Sequence, residues 1–156
     1  MTYNRADAVA YAHAWALRRN PNYYNFDHLG GDCTNFCSQC LLAGAGTMNH
    51  IRDTGWYYTS ANSRSAAWSG VEFLHRFLVS NKGIGPYATE LSIASAQPGD
   101  IIQLSFDGTV FKHSLFVVEN KKNILIATHT YDADNRPLGS YQYVKHRLIH
   151  IEGVRR

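Results

Sequence analysis

The sequence predicts an α+β fold, with helices packed on an antiparallel strand meander. Three observations predict it. The first half carries apolar residues at helical spacing, broken by Gly, Pro and Asn. The second half carries strand-length apolar runs bounded by turn residues. No internal repeat, low-complexity tract or linker divides the 156 residues, so helices and strands are expected to share one core in a single domain over residues 1–156.

The first helix is expected over residues 5–19. Val9, Ala12, His13 and Ala16 recur at i, i+3, i+4 and i+7. Asn4 suits the N-cap, Asp7 the first turn, and Arg18 and Arg19 the last. Asn20-Pro21-Asn22 ends it. An aromatic loop with Tyr23, Tyr24 and Phe26 runs into Gly30-Gly31-Asp32. A second helix is expected from Cys33 to about Ala43, stopped by Gly44 and Gly46. Residues 47–63 show no period and read as loop. Ser69 and Glu72 have capping-box spacing, and Val71, Leu74, Phe77 and Leu78 form the stripe of a third helix.

From Pro98-Gly99 the character changes. Strands are expected at Ile101 to Phe106, Val110 to Glu119, Asn123 to Thr130 and Lys145 to Glu152. Asp107-Gly108 is a hairpin signal. Asp132 to Gly139 reads as a polar loop.

Composition excludes several classes. The net charge of +3 is mild. It favours an anionic partner such as wall polymer but lacks the dense basic stripe of a nucleic-acid binder. No apolar run reaches the roughly 18 residues needed to span a membrane. The N-terminus shows no signal peptide, so secretion or wall association would need an export signal outside this sequence. The chain is expected to act as a monomer.

The three cysteines, Cys33, Cys37 and Cys40, fall within eight residues and are odd in number, unlike a disulfide framework. A helix start lowers a thiol's pKa, because free N–H groups and the helix dipole stabilise thiolate. Cys33 follows Gly30-Gly31-Asp32 at the start of an apolar segment, where its own N–H could also hold an oxyanion. Cys37 and Cys40 read as packing residues one and two turns on. The spacing of Cys33, Cys37 and Cys40 together bears a weak likeness to the iron–sulfur motif of radical S-adenosylmethionine enzymes, but the short chain and helical context disfavour it. Zinc would need a fourth ligand. No metal or other cofactor is expected.

A nucleophilic cysteine needs a base within hydrogen-bond reach. His113 opens the run His113-Ser114-Leu115-Phe116-Val117-Val118 in a strand read as central. A three-residue turn, Asn120 to Lys122, would place His129 of the next strand directly opposite His113 as its orienter. A turn of even length would bring Thr128 instead. Asp132 is a further option. For the second oxyanion donor, Tyr24, Asn25 and His28 lie in the loop before Cys33.

The segment Gly30-Gly31-Asp32-Cys33-Thr34-Asn35-Phe36-Cys37-Ser38-Gln39 resembles the signature of the bacterial "putative amidase domain" family. So do Tyr3-Asn4-Arg5 through Tyr23, Gly55-Trp56-Tyr57-Tyr58, Trp68, Pro98-Gly99-Asp100-Ile101-Ile102, His113-Ser114 and His129-Thr130-Tyr131-Asp132. The fragments occur in family order along nearly the whole chain. Cys37 is a departure, standing where a plain apolar residue is expected. The family is similar in plan to the CHAP and NlpC-type cell-wall amidases. The resemblance therefore implies a papain-like, NlpC-like cysteine hydrolase with Cys33, His113 and His129 at its catalytic positions. It implies hydrolysis of an amide bond in peptidoglycan stem peptides or at their sugar linkage. Trp56, Tyr57, Tyr58 and Tyr24 are the aromatics expected to hold substrate. Two other functions remain open at this point: an acyltransferase using the same acyl-enzyme, and a non-catalytic wall-binding module.

Overall fold

A computed structural model describes residues 2–156. Helix α1 spans Arg5–Trp15 and α2 spans Cys33–Ala45. The Asn4 side chain caps α1 by accepting the Asp7 N–H at 3.0 Å. Ala8, Ala12 and Ala16 are fully buried, and this small-residue face lets α1 lie close on α2. At the crossing, a Cβ on Gly44 would sit 2.5 Å from the Tyr3 ring and 2.6 Å from the Asn4 carbonyl oxygen. Helix α1 stops at Trp15, short of the expected residue 19, because Arg19 turns across to Asp27 and Asp132 instead of capping it. Helix α2 runs through Gly44 and ends at Gly46, whose φ of 72° closes the last turn.

Residues 47–63, expected as loop, contain strand β1 (Tyr58–Ser60), and β2 (Ser63–Arg64) pairs with it. Helices α3 (Ala66–Ser69) and α4 (Val71–Ser80) follow. The expected capping box does not form. Ser69 closes α3 and accepts from Arg64 at 2.8 Å, while Glu72 pairs with Arg147 at 2.9 Å. Leu74, Phe77 and Leu78 are buried, as the helical stripe requires.

The main sheet contains β3 (Gly85–Leu91), β4 (Ile101–Ser105), β5 (Phe111–Asn120), β6 (Ile124–Thr128), β7 (Ala133–Pro137) and β8 (Lys145–Arg155). Its order is β3-β8-β4-β5-β6-β7, and every pairing is antiparallel. The last strand thus inserts between β3 and β4 rather than extending a meander. The two strands absent from the sequence reading, β3 and β7, are the edges. Edge strands carry polar residues and Pro, here Pro86, Glu90, Asn135 and Pro137, and so lose the alternation that identifies inner strands.

Side chains along β5 alternate between two clusters. Phe116 and Val118 join Phe36, Cys37, Cys40, Leu41, Trp56 and Trp68 under the helices. Leu115 and Val117 join Ile102, Leu104, Ile126, Leu148 and Leu138 on the opposite face. Asp100, fully buried, ties α1 to the sheet by accepting from Arg5 at 2.8 Å and from the Ile151 N–H at 3.0 Å. No helix among the described residues is long and apolar enough to cross a membrane.

Candidate active site

Cys33 is the first residue of α2, and its neighbourhood is built by a tight turn. Gly30 and Gly31 have φ of 87° and 99°, which glycine adopts without strain. At Gly31 a Cβ would lie 3.1 Å from the Thr130 hydroxyl, so the turn fits only if that residue is small. Asp32 does not cap α2 with its side chain. Instead its Oδ1 accepts from the Phe26 N–H at 2.8 Å and from Asn35 Nδ2 at 2.9 Å. The helix-start N–H of Cys33 is therefore not taken by Asp32, and it has no intrahelical partner.

The Ser114 backbone N–H points at the Cys33 sulfur, and the Thr34 hydroxyl lies 3.8 Å away. Both favour thiolate. Burial opposes them and wins: with the residue only 6% exposed, the thiol is pushed above its ordinary value. This reverses the expected depressed thiol, since desolvation of the sulfur outweighs the helix start. At rest Cys33 is a neutral thiol. Cys37 and Cys40, wholly buried against the α1–α2 core, are pushed up further.

His113 immediately precedes Ser114, so the strand that donates to the sulfur also carries the imidazole. Its ring is tilted against Phe106 and Tyr141. There it lines a cleft of about 330 Å³ with Phe106, Lys112, Thr130, Tyr131, Arg136 and Tyr141. Burial, then the Arg136 charge, lowers the imidazole to about 4. His113 is thus a neutral, proton-accepting ring at neutral pH.

This shift predicts a pH-dependent stability. Between about pH 4 and 6.5 the unfolded chain binds a proton at this residue that the folded chain excludes. Stability therefore rises with pH across that window, by about 3 kcal/mol from this group. His113→Gln should flatten the rise. Urea denaturation of both proteins at about pH 4.5 and pH 7 measures it, and identical slopes would contradict a depressed His113.

His129 does not face His113. The turn after β5 is Lys121 to Asn123, one residue later than expected, and a bulge lies at Val118. Pairing of β5 with β6 ends at Phe116 opposite Ala127, and β6 itself ends at Thr128. His129 lies beyond that end, stacked on Phe36 with ring centroids 4.2 Å apart. Its Nε2 donates to the Trp15 carbonyl at 2.8 Å, and its Nδ1 meets Asp32 Oδ2 at 2.5 Å. A carbonyl only accepts, so Nε2 carries a hydrogen. The Nδ1–Asp32 contact then needs a second proton on the pair. Arg19 approaches Asp32 at 3.6 Å while bridging Asp27 and Asp132. Asp132, the other candidate orienter, is therefore bound to Arg19. Thr128 is held by the Ser114 and His129 carbonyls.

The aromatics separate. Trp56 is fully buried, donates to Ser38 at 3.0 Å and packs on Trp68, so it presents no surface to a ligand. Tyr57 stacks on His50. Tyr58 accepts the Tyr24 N–H at 2.8 Å, and the half-exposed Tyr24 accepts from Asn35 through its carbonyl. Among the described residues, no group of three or more His, Cys, Asp or Glu side chains is arranged to hold a metal.

The model of the "Putative amidase domain" family matches residues 2–152. The chain belongs to that family. The uncharacterized protein YhbB of Bacillus subtilis (strain 168) is 37% identical over 140 residues, covering 86% of this chain and 43% of YhbB. This chain therefore spans less than half the length of that relative. No solved structure matches it.

Several site residues escaped the sequence reading. Arg136 and Tyr141 line the cleft from the region expected as loop and its continuation. The guanidinium of Arg136 lies 3.7 Å above the Tyr141 ring centroid and approaches its hydroxyl, whose hydrogen finds no acceptor. Asp32, which opens the turn into α2, pairs with His129. Nothing in linear spacing marks these pairs, which join positions 97 and 5 residues apart through the fold.

Proposed function

We propose that this protein is a cysteine-dependent amide hydrolase of papain-like design, acting on peptidoglycan stem peptides or their sugar linkage. The observation that carries the reading is the meeting of Cys33 and β5. The sulfur at the start of α2 lies against the N–H of Ser114, and the adjacent residue is a neutral imidazole opening onto a cleft. Family membership supports amide chemistry. Lys112 and Arg136 at the cleft, with a net charge of +3, suit an anionic polymer.

His113 takes the thiol proton as sulfur attacks the amide carbonyl. An S–C bond forms and the carbonyl electron pair moves onto oxygen. The oxyanion is held by the Cys33 N–H. It collapses, the C–N bond breaks, and the His113 imidazolium gives its proton to the leaving amine. Water then attacks the thioester, losing its proton to His113. The C–S bond breaks, the acid departs, and the thiol regains its proton. His129 acts as a positioning residue through Asp32, and Tyr24 and Tyr58 flank the start of α2 as substrate contacts.

Mass spectrometry of soluble products from purified peptidoglycan, digested in ¹⁸O-water, tests the reading. Hydrolysis should create a new amine and a carboxylate carrying one heavy oxygen. Acyl groups joined to an added amine without ¹⁸O would identify a transferase. Wall material bound but unchanged would identify a binding module.

A further inference from the structure

We propose that the Tyr141 hydroxyl is the second hydrogen-bond donor to the oxyanion formed when Cys33 attacks its acyl substrate. The inference rests on Cys33 being the nucleophile.

Tyr141 Oη is the only buried side-chain polar atom among the described residues with no hydrogen-bond partner within 3.5 Å. The Arg136 guanidinium approaches it but can only donate, so the phenol hydrogen has no acceptor. Proteins rarely bury a hydroxyl without one, and a catalytic role is among the reasons such a group persists. This one lies in the right place. Tyr141 lines the same cleft as His113, with ring centroids 6.1 Å apart. The Ser114 N–H that meets the Cys33 sulfur adjoins His113, so the cleft borders the nucleophile.

The chemistry suits donation. Burial holds the phenol above its ordinary value, so it stays protonated through neutral pH. The Arg136 guanidinium over the ring withdraws electron density and strengthens O–H as a donor. A carbonyl oxygen placed at the mouth of the cleft would give the hydroxyl its acceptor. It would meet the helix-start N–H of Cys33 from the α2 side. The proton stays on Tyr141 throughout, and only a hydrogen bond forms and strengthens as charge develops on oxygen. In the loop before Cys33, the Tyr24 N–H is bound to Tyr58, and Asn25 Oδ1 accepts the Asp27 N–H.

Tyr141→Phe tests this, since it keeps the ring against Arg136 and His113 and removes only the hydroxyl. Two reactions of the same thiol separate the roles. Acylation by p-nitrophenyl acetate, read as the burst of p-nitrophenolate, passes through an oxyanion. Alkylation by iodoacetamide does not. Tyr141→Phe should slow the burst about 100-fold, leave alkylation within about two-fold, and leave the thermal midpoint close to that of wild type, because the hydroxyl donates to nothing in the resting fold. A burst within about three-fold of wild type overturns the proposal, and so does an equal fall in burst and alkylation. Cys33→Ala is the separate control. A burst that survives it removes the nucleophile assignment itself. A burst that needs Cys33 but ignores Tyr141 removes only the Tyr141 proposal.

Discussion

Cys33→Ser should reduce hydrolysis by at least about ten-thousand-fold, whereas Cys37→Ala should leave it within about two-fold per folded molecule. The asymmetry follows from placement. All three thiols are buried, but only Cys33 has a backbone N–H directed at its sulfur from β5 and a neutral imidazole on the adjoining residue. Serine keeps the shape and the hydrogen bonds of the site. It fails because a hydroxyl is far harder to deprotonate than a thiol, and His113, lowered to about 4, is a weak base. That mismatch also defines the pH profile. The competent form is neutral thiol with neutral imidazole, so kcat/KM should hold a plateau from about pH 5 upward rather than falling near 6.5. Hydrolysis of an activated amide across pH measures both. Retained activity in Cys33→Ser, or an acid limb near 6.5, would show that another group drives the reaction or that His113 titrates normally.

The parts legible in the sequence share one property: their signal is local. Asn4 announces α1, Gly46 closes α2, and the apolar runs of β4, β5 and β6 mark the inner sheet. Cys33 at a helix start and His113 in a central strand follow from the same local cues. What failed depends on register or on distant neighbours. The bulge at Val118 and a turn displaced by one residue carried His129 out of line with His113. Period-two alternation makes such a slip decisive. The edge strands β3 and β7 need only one partner each, and their residues are too polar to alternate. The raised thiol was likewise invisible, because helix position is written in the sequence while burial by packed neighbours is not. Trp56 looked like a ligand platform for the same reason: an aromatic run does not say which ring faces inward.

Asp32→Ala should destabilise the protein by about 3–5 kcal/mol, the usual loss when one partner of a buried ionic pair is removed. Asp32 is 1% exposed and serves as acceptor for the Phe26 N–H, Asn35 Nδ2 and His129. Removing it strands a buried N–H, an amide and an imidazole that already donates to Trp15. Arg19 stays paired with Asp27 and Asp132, so it cannot relieve them. Urea denaturation measures the loss, and a change under about 1 kcal/mol would show that water replaces the carboxylate freely. His129→Phe should be costly alone, since it keeps the stack on Phe36 but leaves Asp32 and the Trp15 carbonyl short of a donor. The double variant should lose less than the sum, because each single change leaves the other partner unpaired. The same cycle isolates what the pair does for chemistry. Its bonds join the end of α1, the turn before Cys33 and the segment after β6, so they hold the nucleophile's backbone at the sheet without touching the thiol. Iodoacetamide alkylation of Cys33 in the folded fraction should then change with the position of α2, whereas activity lost at constant alkylation would place His129 in the reaction itself.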